Sequence, residues 1–430
     1  MWDAAVAAAN PELLVRAALT DPTPPLRDAL ATAERILVVG AGKAGAAMAA
    51  GAEGALLGLL DRVSGIVNVP AESVRPLKAI RLHAARPAGT NFPTPEGVVG
   101  ARQMLDLLAQ AGPNDVGLCL LSGGGSALLP APAAGITLED KQQVTRLLHA
   151  CGATINEMNC VRKHLSAVKG GRLAQTFTGK ALFSLIISDV VGDPLDVIAS
   201  GPTAADPTTF ADARAVLEKY HLTSQVPPAV LHDLAEGAAG RIAETLKALP
   251  ANVHNVILGN NARSLIAAAG EAERLGYRVL NLGSFLEGET RHVATTFAGI
   301  VRSIRADGVP LRPPVCLLSG GETTVTLVAG HGKGGRNQEF VLATALKLGE
   351  DGLHDVVILS GGTDGEDGPT DAAGAVAAAE TLTVARRLGL DPAAFLARND
   401  AYSYFAATGD LLISGLTGTN VMDVRVILLR

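Results

Sequence analysis

Two cations in this sequence stand where a helix should repel them. Lys43 lies inside Gly40-Ala41-Gly42-Lys43-Ala44-Gly45, between an apolar run and an Ala-rich stretch. Arg336 ends a glycine-rich basic loop, Gly330-His331-Gly332-Lys333-Gly334-Gly335, and opens a second helical pattern with Asn337-Gln338-Glu339. A strand–glycine–helix turn bares backbone N–H groups at the positive end of the helix dipole. An ammonium or guanidinium there is unfavourable unless an anion sits between charge and dipole. Both turns therefore predict a bound anion touched by Lys43 and by Arg336. Three apolar runs also end in Ser-Gly-Gly. They are Val116–Leu121 before Ser122-Gly123-Gly124-Gly125-Ser126, Val315–Leu318 before Ser319-Gly320-Gly321-Glu322, and Val356–Leu359 before Ser360-Gly361-Gly362-Thr363-Asp364. Glycine lets a ligand approach the backbone closely, and phosphates are the usual occupants of such turns. The pattern points to phosphate-handling α/β chemistry.

Carboxylates occupy matching places. Asp189 and Asp193 follow the apolar run Ala181–Ser188. Open α/β sheets bind ligands at the C-terminal ends of their strands. Either carboxylate could carry Mg²⁺ or accept a proton, and either could merely cap a turn. Asp364, Glu366 and Asp367 follow the third Ser-Gly-Gly run, with a spacing unlike an EF-hand loop. They read as one ligand for magnesium held with a phosphate, or as an acidic surface turn. The densest cationic cluster is Asn159, Arg162 or Lys163, Ser166 and Lys169, three to four residues apart on one helical face. That face lines an acidic substrate's cleft or is solvated.

Several chemistries are excluded. The Lys43 turn has G-x-G-x-x-G spacing, but the next strand ends Val67-Asn68-Val69-Pro70, without the acid that would hold a dinucleotide ribose. No Walker-type phosphate loop, His-Arg-Asp catalytic loop, G-x-S-x-G elbow or H-E-x-x-H pattern occurs. The net charge of −6, with no basic run, argues against a nucleic-acid partner. No apolar stretch is long enough for a membrane span. Cys119, Cys151, Cys160 and Cys316 form no C-x-x-C pair, which fits reduced, cytoplasmic usage.

The elements that must position these residues alternate. Strands are expected at Arg35–Val39, Gly65–Val69, Val116–Leu121 and Ala181–Ser188. Helices are expected at Ala46–Leu60, Gly97–Ala111, Leu138–Cys151 and Ile155–Leu173, with Arg81–Glu96 irregular. Such alternation implies right-handed βαβ units and a parallel sheet. Pro227–Ala251 reads as helical, and the pattern restarts beyond it with strands at Asn255–Leu258, Arg278–Leu282, Val315–Leu318, Thr323–Val328, Val356–Leu359 and Val424–Leu429. At 430 residues, two or three domains are expected. We divide the chain into 1–245, a Rossmann-like doubly wound parallel sheet, and 246–430, a smaller α/β domain with a mixed sheet.

Taken in order, Val38–Ala44, Leu121–Ser126, Asn159–His164, Ser188–Pro194 and Ser200–Thr203 resemble the N-terminal domain of class II glycerate kinases. Gly320–Glu322, Gly334–Glu339 and Gly362–Gly368 resemble that family's C-terminal MOFRL domain. The resemblance covers nearly the whole chain. It implies an ATP- and divalent-metal-dependent glycerate 2-kinase with its active site in the cleft between domains. Lys43 and Arg336 match the family's catalytic lysine and arginine. On this reading Gly42, Ser122–Ser126 and Ser319–Glu322 hold ATP phosphate, and Arg162, Lys163 and Asn337 meet the substrate. Asp189 accepts the hydroxyl proton, and Asp189 or Asp364 holds Mg²⁺ or another divalent cation. The implied partners are D-glycerate and ATP, and the oligomeric state is left open. One departure is Asn91-Phe92-Pro93-Thr94-Pro95, where the family commonly has His-Pro-x-Pro. Some members carry the name hydroxypyruvate reductase, so an NAD(P)H-dependent reductase is the alternative. A non-catalytic anion-binding protein is the third reading.

Overall fold

The computed structural model describes residues 1–87, 90 and 92–430. Asn91, the departure from the family's turn, lies outside them. The chain forms two compact units, Pro11–Leu258 and Met1–Asn10 with Gly259–Arg430.

In the first unit, β1 (Ile36–Ala41), β2 (Val63–Pro70), β3 (Ile80–Arg86), β4 (Val116–Leu121), β5 (Ala181–Ile187) and β6 (Val253–Gly259) form one sheet in the order β3-β2-β1-β4-β5-β6. The pairs β1–β2, β2–β3, β1–β4 and β4–β5 are parallel. Every residue of β1, β4 and β5 is buried, as expected of a parallel sheet covered on both faces. The strand order reverses between β1 and β4, so their C-terminal turns flank the switch point where such sheets bind ligands. Helix Gly45–Ala55 leaves β1 and packs closely on helix Pro11–Thr20. A Cβ on Gly51 would fall 2.4 Å from the Glu12 carbonyl oxygen, so only glycine permits that approach.

In the second unit, β7 (Arg278–Asn281), β8 (Val315–Gly321), β9 (Val356–Gly362), β10 (Gly374–Ala377), β11 (Leu411–Leu412) and β12 (Asp423–Leu429) run in the order β11-β10-β9-β12-β8-β7. Only β7–β8 is parallel; the other pairs are antiparallel. The C-terminal strand is therefore central. Phe297, Val301, Phe340, Ile358 and Ile427 pack in the core on one face. Leu265, Leu318, Val424 and Trp2 pack on the other.

The division differs from the expected 1–245 and 246–430. Strand β6 extends the first sheet past residue 245, because Leu182 donates from its N–H to the Asn252 carbonyl (2.8 Å) and ties that chain to β5. Helix Trp2–Ala8 belongs to the second unit. Trp2 Nε1 donates to the Gly361 carbonyl (3.2 Å), and Ser264 Oγ donates to that of Ala5 (2.8 Å).

Other expectations also shift. Ile80–Arg86, expected to be irregular, is a strand; its short alternation is flanked by prolines that mask it. Ile155–Leu173 is not one helix but Ile155–His164 and Arg172–Thr176, since Gly170 and Gly171 take φ of +60° and +78°. Helix occupies only Pro228–Ala238 of the 227–251 stretch. Thr323–Val328 is a loop, in which Thr324 forms an isolated parallel bridge with Glu289.

Candidate active site

The turns after β1 and β4 are fastened face to face. Lys43 N–H donates to the Gly123 carbonyl (2.8 Å), Ala44 N–H to Ser122 Oγ (3.1 Å) and Ser122 N–H to the Ala41 carbonyl (3.2 Å). Gly42, with φ of +152°, donates to the Asn68 carbonyl (3.3 Å). A Cβ there would sit 2.0 Å from Ser122 Oγ. Gly42 therefore serves closeness of the two turns, and its N–H is spent on protein instead of cradling phosphate as expected. Gly124 is left-handed (φ +75°), and a Cβ on it would meet the Lys43 stem at 3.3 Å. The lysine thus lies across the Ser-Gly-Gly-Gly turn.

Beside this turn is a cavity of about 370 Å³. Arg86, Lys141, Arg146, Arg162 and Lys169 line it together with His149, Gly124 and Ser126, and no carboxylate is among its described lining residues. Lys169 Nζ donates to the Ser126 carbonyl (3.1 Å), to Ser126 Oγ and to Ser200 Oγ (3.2 Å). Arg162 also donates to Ser126 Oγ, and Ser200 Oγ donates to Asn159 Oδ1 (3.1 Å). The expected cationic face is hence inside the protein, not solvated: Asn159, Lys163, Ser166 and Lys169 are all buried. Burial, with Arg162, Lys141 and Lys163 nearby, drives the Lys169 pKa well below that of a free lysine. Ala199 and Ser200, both non-glycine, take φ of +51° and +62° just ahead of Gly201 at +62°. Each such conformation costs about 1–3 kcal/mol, and such strain clusters at functional sites. Here it points the Ser200 hydroxyl at Ser126 and Lys169.

The adjacent Lys163 does something else. It is 2% exposed and pairs with Asp196 (3.0 Å) and Asp206 (3.2 Å). Its charge is consumed inside the fold, so the expected substrate contact is corrected to a structural tie.

In the second unit, Arg336 begins helix Arg336–Leu353. Its Nε and Nη2 form a bidentate pair with the Asp423 carboxylate (2.7 and 3.0 Å), and Nη1 meets Glu322 at 2.8 Å. Asp367 caps the same helix, accepting from the N–H groups of Asn337 (3.0 Å) and Gln338 (2.8 Å). The anions that the sequence demanded at this turn are the protein's own. Burial opposes the charge on Arg336, but Asp423 and Glu322 outweigh it and raise its pKa. Burial pushes the Asp367 carboxyl up to about 7 against those two N–H donors. Asn337, expected to touch substrate, is fully buried. Its Nδ2 donates to Asp367 (3.2 Å) and Asp423 (2.9 Å), and Ser360 Oγ donates to its Oδ1 (2.5 Å). The Ser319-Gly320-Gly321 turn is also filled from within. A Cβ on Gly320 would lie 1.6 Å from Asn261 Oδ1, and the Gly320 and Glu322 N–H groups bond to Gly283 and Leu286. It is a packing joint, not an open cradle. A second cavity, about 470 Å³, opens beside Glu322, Arg336 and Glu339.

Residues 1–235 match a family model described as a domain of unknown function (DUF4147), and residues 315–423 match the MOFRL family. A glycerate 2-kinase of Pyrococcus horikoshii is 41% identical over 390 residues, 91% of this chain and 86% of that protein. The crystal structure of a Thermotoga maritima glycerate kinase superposes with a TM-score of 0.88 at 36% identity, over 100% of this chain and 97% of that one. The chain belongs to the class II glycerate kinase family. An Agrobacterium vitis relative, 43% identical over 92% of this chain and 99% of its own length, carries a provisional name, hydroxypyruvate reductase.

Among the described residues no three His, Cys, Asp or Glu side chains gather as a protein cage for a metal ion would require. Asp189 lies two residues beyond β5, and Asp364 two beyond β9. Mg²⁺ usually binds through one or two carboxylates plus substrate phosphates. Asp189 and Asp364 are each a single carboxylate, the donor that such binding takes from a protein. Lys141 and Asp423 carry no role in the sequence expectations, and Ser200 enters them only as part of the Ser200–Thr203 motif. The left-handed Ser200 and the pairing of Asp423 with a residue 87 positions away leave no local signature.

Proposed function

We propose that this chain transfers the γ-phosphoryl group of ATP to the 2-hydroxyl of D-glycerate, giving 2-phosphoglycerate and ADP. One observation carries the reading: a cavity lined by cations and no described carboxylate, opening beside a glycine turn that a lysine crosses. A small carboxylate acceptor suits that cavity, and phosphate suits the turn. Lys43 would neutralise phosphoryl charge as the transition state loosens, and Ser122–Ser126 would orient the phosphates. Arg336, paired with Asp423 and Glu322, would stabilise phosphoryl charge, as its match to the family's catalytic arginine suggests. Arg162 would meet the glycerate carboxylate. Asp189 would take the hydroxyl proton, and Asp189 or Asp364 would hold Mg²⁺, which draws charge from the phosphate oxygens when bound. No helix among the described residues is long and apolar enough to cross a membrane. The cysteines are free, in keeping with a cytoplasmic enzyme.

The reductase reading has the provisional name of the Agrobacterium relative in its favour. Against it stands Asn68, where a dinucleotide fold needs a ribose-binding acid. Its amide is fully buried and committed to the carbonyls of Gly97 (3.0 Å) and Leu128 (2.7 Å). Purified protein should convert D-glycerate with ATP and Mg²⁺ and leave hydroxypyruvate with NADH untouched. NADH oxidation without ATP consumption would overturn the kinase reading.

A further inference from the structure

Among the described residues, the cationic cavity buries an ammonium with no acceptor. Lys169 spends its ammonium on Ser126 and Ser200, and Arg162 reaches Ser126. Lys141 Nζ is shut off from solvent and has no hydrogen-bond partner among the described residues. It rises from the first turn of helix Leu138–Ala150, which is fixed by a Thr137–Asp140 capping box. The cap fixes the backbone from which the side chain reaches the cavity.

The charged groups that face it among the described lining residues are basic. Arg162 faces it from helix Ile155–His164, Lys169 from the turn that follows, Arg172 from the next short helix and Arg86 from the end of β3; Arg146 and His149 share its own helix. Asp140, its neighbour in sequence, is turned back onto the Thr137 N–H (2.9 Å). An ammonium sealed among cations with no acceptor is costly, and the cost is removed when a carboxylate enters.

We propose that Lys141 is the specificity-determining residue for the acceptor acid: it binds the carboxylate of D-glycerate, and the empty site holds it ready to take up a proton as that carboxylate arrives. The proposal rests on the kinase reading and deepens it. It also explains how a cavity with apolar walls at Phe92, Pro130, Leu138 and Leu165 would select an acid over a neutral polyol of the same size. Burial and the charges of Arg162 and Arg172 lower its pKa to about 7. Lys141 would thus be mostly neutral at pH 8 in the empty enzyme. Protonation is favoured only with the anion present.

The test uses the wild-type chain, Lys141→Met and Lys141→Arg. In Lys141→Met the KM for D-glycerate should rise about 10- to 100-fold, the loss of one charge-assisted hydrogen bond. The KM for ATP and the melting temperature should stay as they are, and Lys141→Arg should recover most of the affinity. Calorimetry at pH 8, in two buffers of different ionisation enthalpy, should show proton uptake on D-glycerate binding in wild type and none in Lys141→Arg. In wild type, kcat/KM for D-glycerate should fall as pH rises above about 7, where free Lys141 loses its proton; the arginine variant should lack that limb. Equal D-glycerate affinity in wild type and Lys141→Met, or binding without proton uptake in wild type, overturns this proposal alone. A wild-type protein that binds no D-glycerate at all overturns the kinase reading itself.

Discussion

The Lys43 side of the molecule and the Arg336 side pose the same electrostatic problem and answer it differently. In both, a cation sits at a glycine-rich turn entering a helix. Around Arg336 the chain supplies the counter-charges: Asp423 and Glu322 pair with the guanidinium, and Asp367 caps the helix. Beside Lys43 lies a cavity where Arg162, Lys169 and Lys141 face one another without a described carboxylate. The Arg336 region supplies its own counter-charge, and on the proposed reading the Lys43 region takes its counter-charge from a ligand. A cation in a glycine loop is thus a poor guide to which of the two it marks, because the deciding carboxylates come from far along the chain.

The sharpest way to break this contrast is to remove each cation. Lys43→Ala should lower kcat by about 10²- to 10³-fold, the scale of one lost transition-state contact, with an unchanged melting temperature. Arg336→Ala should lower kcat comparably and also lower the melting temperature, because Asp423 stays fully buried with only Arg425 and Asn337 beside it. Removing one partner of a buried pair costs about 3–5 kcal/mol, an upper bound for a site one-third open to solvent. Thermal melts of both variants decide the point; a destabilised Lys43→Ala beside a stable Arg336→Ala would reverse the assignment.

A finer division runs through two adjacent residues. Arg162→Met should raise the KM for D-glycerate about tenfold and leave stability alone. Lys163→Met should leave the kinetics of the folded enzyme alone and cost about 3–5 kcal/mol, because Asp206 is left buried without its partner. Chemical denaturation alongside steady-state kinetics separates them.

The smallest effect concerns pH. Asp367 has its folded pKa raised from 3.8 to about 7, so between those values the folded state binds the extra proton. Its contribution to stability is greatest at low pH and is lost as pH rises through about 7. Denaturation midpoints measured from pH 5 to 8 should fall across this range in wild type and less steeply in Asp367→Asn. Parallel slopes would remove Asp367 from the account.

The parallel-sheet half was largely legible in the sequence because its strands are apolar throughout and end in glycine. The strand Ile80–Arg86 was not, since Arg81, His83 and nearby prolines break the apolar signal. Lys43 and Ser122–Ser126 were singled out by helix-dipole and glycine arguments, and Arg162 or Lys163 by a cationic helical face; both need only local sequence. Lys163 and Asn337 were misread because burial decides what a polar side chain does, and burial is a property of the packed chain. Lys141 was invisible for the converse reason: on an amphipathic helix nothing distinguishes an inward lysine from a solvated one.

The N-terminal helix has a consequence in time. Trp2 leaves the ribosome long before its hydrogen-bond acceptor, Gly361, which lies 359 residues later. At roughly 5–20 residues per second, about 20 to 70 s of synthesis separate the two. During that interval an entire parallel sheet can form while an apolar helix of its own chain waits unclaimed. A nascent polypeptide of this kind offers holding chaperones a hydrophobic handle until the strands of the second sheet emerge.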